Sequence, residues 1–339
     1  MSVRIRQDED NSGSKAMTNV RIASTGAYVP ERRMDNHELS RVVDTSHDWI
    51  VSHTGISYRH VASEEESTSD LATRAGSVAL ERAGVSASDL GLVIVATSTA
   101  DYAGMPSTAC LVQDRLGAVN AGAFDISAAC SGFVYALETG RALISADGRP
   151  VLVIGSEIMT RILDWTDRNT CVLFGDGAGA VVLTTGSDDG DISHSYLRSD
   201  GSGSGVLYRE GGCRLPPEQM ASLSWHLAMK GRPVYNFAVR AIVDVVQHFV
   251  DTAHIRLDDI AYIVPHQANV RIIQAAAKRL DLPEDRFYLN IHDVANTSAA
   301  SIPIALNEMV EKDILKRGDL IVTVAFGSGL TYGGNVIRW

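Results

Sequence analysis

Apolar and polar positions follow two rhythms along this chain. Unbroken apolar runs recur at residues 90–97, 151–155, 260–264 and 320–326. Runs of that length predict strands covered on both faces. Between them lie segments with apolar residues at helical spacing: 36–43, 68–83, 107–116, 133–144, 268–280 and 296–306. Ala72, Ala75, Val78 and Leu80 mark the buried stripe of the second, and Phe133, Leu137 and Leu143 that of the fourth. Asn36 is a candidate N-cap. Residues 20–30 read as a strand entering a turn. Residues 173–183 read as a glycine-rich turn feeding a strand, with the glycines there for close backbone packing, since no phosphate-loop pattern is present. The polar segment 187–204 reads as a loop.

The pattern of the first half returns in the second. The strand at residue 260 and its helix match those at residue 90. Residues 287–292 match 124–126, the helix after Asn296 matches that after Cys130, and residues 320–326 match 151–155. These offsets are roughly 160–175 residues and indicate an internal duplication. The closing strand, 333–339 against 177–183, is offset by less. Alternating strands and helices predict α/β layers, in two similar halves (19–185 and 186–339) packed as one unit. Residues 1–18 read as a disordered polar extension by composition.

Composition narrows the function. Apolar residues make up 45% of the 339, enough for a large core. A net charge of −11 disfavours a general nucleic-acid binder. No apolar run approaches the ~20 residues that span a bilayer, and the charged N-terminus is no signal peptide. Cys110, Cys130, Cys171 and Cys213 are scattered, which argues against a zinc site and a disulfide framework. A reducing cytoplasm fits best.

The chain centres on Asp125-Ile-Ser-Ala-Ala-Cys-Ser-Gly-Phe133. A cysteine where a strand turns into a helix meets unpaired N–H groups, which favour thiolate, lower the thiol pKa and bind an oxyanion. A buried small hydrophobe is the alternative. His266 and Asn296 stand at equivalent strand and helix ends of the second half, and such ends face one crevice. Cysteine, histidine and asparagine together form a nucleophilic-catalysis set. An imidazole Nε2–H and an amide N–H₂ can also hold an enolate oxygen. Trp49 reads as core packing or as a platform for a planar ligand.

Four motifs in this order, Ala128-Ala-Cys-Ser-Gly-Phe133, Phe174-Gly-Asp-Gly-Ala-Gly179, Val264-Pro-His-Gln-Ala-Asn269 and Asn296-Thr-Ser-Ala-Ala-Ser301, make the chain resemble the β-ketoacyl-acyl-carrier-protein synthase III family of the thiolase superfamily over residues 19–339. The resemblance implies a thiolase-like fold of two βαβαβαββ-type halves in an α-β-α-β-α unit, a homodimer, and no cofactor. It implies decarboxylating condensation of an acyl-CoA, such as acetyl-CoA, with malonyl-acyl carrier protein, to initiate fatty acid synthesis. Cys130 would carry the acyl group, His266 and Asn296 would hold the enolate, and the backbone N–H groups of Cys130 and Ser328 would form the oxyanion hole. Phe133 would favour decarboxylation through its apolar face. Thr45, Trp49, Arg161, Gly231 and Asn269 would line the coenzyme A channel, and Met105 would cap the acyl pocket. Arg271, Lys278 and Arg279 would meet the acidic carrier protein; unaided, they read as a solvated helix face.

Three positions depart from the family pattern: His53 where an arginine is usual, Ala295 for the glycine before Asn296, and Ser328 for the middle glycine of a triple. Four other readings stand beside the main one. A specialised-metabolism condensing enzyme would share all the motifs. A non-decarboxylating acyltransferase would lose Asn296. A cysteine hydrolase would pair Cys130 with His266, and a non-catalytic scaffold would need none of the three.

Overall fold

The computed structural model describes residues 19–186, 190–211 and 223–339, so the extension at 1–18 and Cys213 lie outside the described residues. Its first sheet holds β1 (Val20–Tyr28), β2 (Leu92–Ala96), β3 (Gly122–Ile126), β4 (Val151–Ile158) and β5 (Asp176–Thr185), in the order β1-β5-β4-β2-β3. A second holds β6 (Asp191–Ser199), β7 (Ile260–Pro265), β8 (Leu320–Gly327) and β9 (Thr331–Arg338), in the order β7-β8-β9-β6. The duplication is visible in the pairing. β1 and β6 run antiparallel to β5 and β9, which run antiparallel to β4 and β8, which run parallel to β2 and β7.

The principal helices are α1 (His47–Thr54), α2 (Thr68–Ala83), α3 (Thr108–Leu116), α4 (Gly132–Asp147), α5 (Gly231–Thr252), α6 (Val270–Leu280) and α7 (Ser301–Glu311). Strand alternation explains the unbroken apolar runs. In β4, Val151 and Val153 face α4 and α7, while Leu152 and Ile154 face α2. In β8, Ile321 and Ala325 point to the middle layer, while Val322 and Val324 point to α5 and α6. Five layers result: α2 and α3, the first sheet, α4 and α7, the second sheet, α5 and α6. The middle helices are apolar around much of their surface because sheets cover both sides. Leu143 is an exception to the expected α4 stripe: it is exposed, and Ile144 fills the core position.

Glycines set the separation between layers. A Cβ on Gly155 would lie 2.2 Å from the Ala299 carbonyl oxygen, and one on Gly179 2.6 Å from the Ile304 nitrogen. The sheet therefore touches backbone just before and within α7.

Three local expectations are corrected. Residues 187–204 contain the strand β6. Among the described residues it pairs only with β9, at the sheet edge, and all but one of its side chains are at least partly exposed, so no apolar run marks it. Residues 287–292 form a single bridge, Phe287 to Ile263, followed by a short helix, Ile291–Val294. There the buried Gln267 substitutes for a ladder: its amide donates to the carbonyls of Pro265 and Tyr288 and accepts from the Asn290 N–H. The short helix Asn36–Leu39 is capped by Asp35, whose carboxylate accepts from the Glu38 N–H at 2.7 Å. Asn36 is buried and donates to the Ile56 carbonyl instead.

Candidate active site

Cys130 sits in a tight turn between β3 and α4. Ala129 adopts φ +47° to enter it, and a 3-10 turn, Ala129–Ser131, leads into the helix. The end of β8 comes so near that a Cβ on Gly327 would lie 2.7 Å from the Cys130 nitrogen. The expected lowering of the thiol pKa is not found. Burial pushes it up to about 12, with the nearby Glu157 adding to the rise, and only the Ser298 hydroxyl at 3.3 Å and local backbone oppose it.

His266 leaves the end of β7, its N–H still bonded to the Val324 carbonyl. Its Nδ1 lies 2.8 Å from the Ser301 hydroxyl, at the start of α7. That hydroxyl accepts the Gln267 N–H at 3.3 Å and keeps its own proton available to Nδ1. We assign the ring hydrogen to Nε2, the tautomer in which that proton is given to Nδ1. Burial lowers the imidazole pKa to about 3, so the ring is neutral at pH 7.

Asn296 is held by two backbone bonds: its N–H donates to Leu173, and its carbonyl accepts from Gly175. Its Oδ1 accepts the Ser298 N–H at 2.9 Å, which leaves the amide N–H₂ unspent. The preceding Ala295 adopts φ 59°, ψ −159°, a region almost exclusive to glycine. The alanine thus holds a backbone conformation that glycine adopts without strain.

These three side chains line one cavity of about 260 Å³. All three are buried, whereas Arg168 and Tyr235 at the same cavity are exposed. The cavity therefore leads from the surface to the cysteine. Its wall is largely apolar, with Leu207, Met229, Val234 and Leu330. It holds the combination expected of a ligand channel, a long apolar wall with few polar groups.

Trp49, Gly231 and Asn269 border the cavity. Trp49 stacks on His53 at 4.3 Å, and the Arg168 guanidinium lies 4.9 Å from the Trp49 ring. Asn269 caps α6 and donates to the His53 carbonyl. Thr45 stands just ahead of α1 and does not line the cavity; its shielded hydroxyl has no hydrogen-bond partner among the described residues. Arg161 lies apart, donating to the carbonyls of Ser63, Glu64 and Glu66. Arg168 is the arginine at the cavity, and nothing in the local sequence separates the two. Phe133 is part of the core between the sheets and does not line the cavity; Phe174, Phe237 and Phe326 do, and Phe326 lies edge-on to the His266 ring at 5.2 Å. Met105 is 84% exposed and away from this cavity. Ser328 keeps a negative φ and donates its hydroxyl to the Leu207 carbonyl, tying down a wall segment. Arg271, Lys278 and Arg279 are exposed on α6, and Arg271 also donates to the Ser52 carbonyl. Ser298 and Ser301, two and five residues after Asn296, orient the site and had no separate signal in the sequence.

Five α/β layers with a buried cysteine and two hydrogen-bond donors around one channel define a thiolase-fold enzyme. A family pattern described as 3-Oxoacyl-[acyl-carrier-protein (ACP)] synthase III matches residues 124–201, and its C-terminal counterpart matches 250–339. The beta-ketoacyl-[acyl-carrier-protein] synthase III of Clostridium beijerinckii is 50% identical over 326 residues, 95% of this chain and 100% of the relative. The crystal structure of 3-oxoacyl-[acyl-carrier-protein] synthase III from Aquifex aeolicus matches with a TM-score of 0.88 and 43% identity, covering 94% of this chain and 100% of that one. The priming beta-ketosynthase of the R1128 polyketide biosynthetic pathway matches at 0.89 and 34%, covering 94% and 96%. This chain belongs to the 3-oxoacyl-[acyl-carrier-protein] synthase III family.

Proposed function

We propose that this protein condenses an acyl-CoA starter, acetyl-CoA in the first instance, with malonyl-acyl carrier protein and so initiates fatty acid synthesis. The observation that carries this is the wiring of the donors: His266 Nε2–H and the Asn296 amide are both left free at a cavity that also contains Cys130. Cys130 attacks the acyl-CoA carbonyl and becomes a thioester as coenzyme A leaves. Malonyl thioester then loses CO₂, and its electron pair remains as an enolate whose oxygen accepts from His266 and Asn296. The enolate carbon attacks the acyl-Cys130 carbonyl. The N–H groups of Cys130 and Ser328 stabilise the oxyanion, supported by the close approach of Gly327 to the Cys130 amide. Collapse of the adduct releases the 3-oxoacyl product and frees the cysteine. The chemistry requires no cofactor.

The carrier arm enters past Trp49, Gly231 and Asn269. Arg168, rather than Arg161, is placed to meet a coenzyme A phosphate beside Trp49. Arg271, Lys278 and Arg279 give an acidic carrier protein a local positive face on a protein of net charge −11. The halves, 19–185 and 186–339, each contribute to the site. We also propose a homodimer. β3 is an edge strand, and Val119 before it and Met105 are 75% and 84% exposed. The exposed free thiol of Cys110 suits the reducing cytoplasm.

Intact-mass measurement after mixing with acyl-CoAs, followed by malonyl-acyl carrier protein, tests the reaction. Acetylation of Cys130 that malonyl-acyl carrier protein discharges with release of CO₂ is expected. Cys130→Ser should block acylation, while Asn296→Ala should spare acylation and impair condensation. Equal loss of acylation in both folded variants would refute the assigned division of labour.

A further inference from the structure

Glu157, near the end of β4, is a fully buried acidic residue beside Cys130 to which the reaction above assigns no task. Its hydrogen-bond partners are neutral. Oε2 accepts from the Thr99 hydroxyl at 2.6 Å and the Thr97 hydroxyl at 3.3 Å, and the Ser98 N–H reaches both oxygens at 3.0 and 3.1 Å. The Thr97 hydroxyl accepts from the Thr99 N–H, and the Thr99 hydroxyl from the Ile158 N–H, so both have protons to give to Oε2. Oε1 faces the Ser298 hydroxyl at 3.0 Å. The same hydroxyl lies 3.3 Å from Cys130 Sγ.

A hydroxyl has one proton and cannot donate to both neighbours. When Ser298 donates to Glu157, its oxygen can accept the thiol proton. When it donates to Sγ, its oxygen accepts from a protonated carboxyl. The chain Sγ, Oγ, Oε1 is thus a proton wire with two states. Such a wire answers a need. The buried thiol must lose its proton to attack, and in the tautomer assigned above His266 has no vacant nitrogen, since Nδ1 accepts from Ser301 and Nε2 bears the hydrogen. Among the described residues, Ser298 is the side chain hydrogen-bonded to Sγ.

We propose that Ser298 relays the Cys130 proton to Glu157 during acylation and returns it when condensation frees the cysteine. This rests on the acyl-cysteine reading above. As sulfur bonds to the acyl carbon, the S–H proton passes to Ser298 Oγ, and the Ser298 proton passes to Glu157 Oε1. Coenzyme A departs as a thiolate and takes its proton from solvent. When the C–S bond to Cys130 later breaks, the sulfur regains a proton by the reverse path. Burial raises the Glu157 carboxyl above its ordinary range, which brings its proton affinity closer to that of the thiol.

The test measures the rate of Cys130 acetylation by acetyl-CoA in the full chain, by rapid quench and intact mass, for wild type, Ser298→Ala, Glu157→Gln and the double variant. Each single variant should slow acylation on the order of 100-fold. The double variant should be no slower than the slower single one, and the solvent deuterium isotope effect of wild type should vanish in each. Ser298→Ala removes one oxygen, so the test stands even where Glu157→Gln fails to fold. Acylation by folded Ser298→Ala within about threefold of wild type, far short of a general-base effect, would overturn the relay. An unchanged isotope effect or additive losses would do the same. A wild type that takes up no acyl group would instead overturn the acyl-cysteine reading, and the relay with it.

Discussion

Histidine and asparagine can each donate or accept, and their neighbours fix which they do here. Ser301 occupies the acceptor nitrogen of His266, and the Ser298 N–H occupies the acceptor oxygen of Asn296. Removing the first constraint with Ser301→Ala leaves the imidazole free to change tautomer. Condensation is expected to fall on the order of tenfold, less than the 10²–10³ seen when an oxyanion donor is lost outright. Acylation of Cys130 should be unaffected, and single-turnover measurements of the two steps separate these effects. Cys130, His266 and Asn296 were legible in the sequence because each stands where a strand or turn hands over to a helix. The serines that orient them were not, because a serine in a run of small residues has no pattern of its own. Arg161 and Phe133 show the same limit from the other side. Each lies near a motif in sequence, yet the chain brings Arg168 and Phe326 to the cavity instead.

At the scale of elements, the site depends on how closely β4 approaches the turn before α7. Gly155 contacts that turn through the Ala299 carbonyl, three residues after Asn296. Gly155→Ala forces a methyl group against backbone that has no rotamer to change. We expect a loss of roughly 2–3 kcal/mol in chemical denaturation, together with slower condensation because Asn296 and Ser298 move with the turn. Elements covered on both faces were legible, since β2 and the first stretches of β4 and β8 carry unbroken apolar residues. The edge strand β6 was not, since solvent reaches most of its side chains. Residues 287–292 followed the repeat in sequence but not in structure, because Gln267 satisfies the backbone groups that a fifth strand would have paired.

The molecule as a whole adds two expectations. A neutral, buried His266 affects stability against acid. In the unfolded chain this histidine protonates near its ordinary 6.5, whereas in the folded chain it does so only near 3. Its contribution is complete above the unfolded value and is lost as pH falls through that window, by up to about 1.4 kcal/mol per pH unit. Denaturation between pH 7 and 4 should therefore show a steeper decline for wild type than for His266→Gln. Light scattering should give about twice the chain mass of 36.4 kDa, and a monomer would contradict the proposed pairing through β3 and its exposed neighbours. The layered frame was legible from the repeat and the alternation of apolar runs. The proposed assembly came from the resemblance alone, since no periodicity marks exposed apolar residues such as Val119 and Met105.

The donors that His266 and Asn296 leave free bear on inhibitor chemistry. Ser301 engages His266 Nδ1 and the Ser298 N–H already donates to Asn296 Oδ1, so this corner of the cavity chiefly offers hydrogens to a visitor. A ligand that brings its own N–H or ammonium group to that point meets two donors and is disfavoured there. An inhibitor should therefore present a carbonyl, sulfone or carboxylate oxygen there, and a compound series ranked by the basicity of that one atom should rank the same way in affinity.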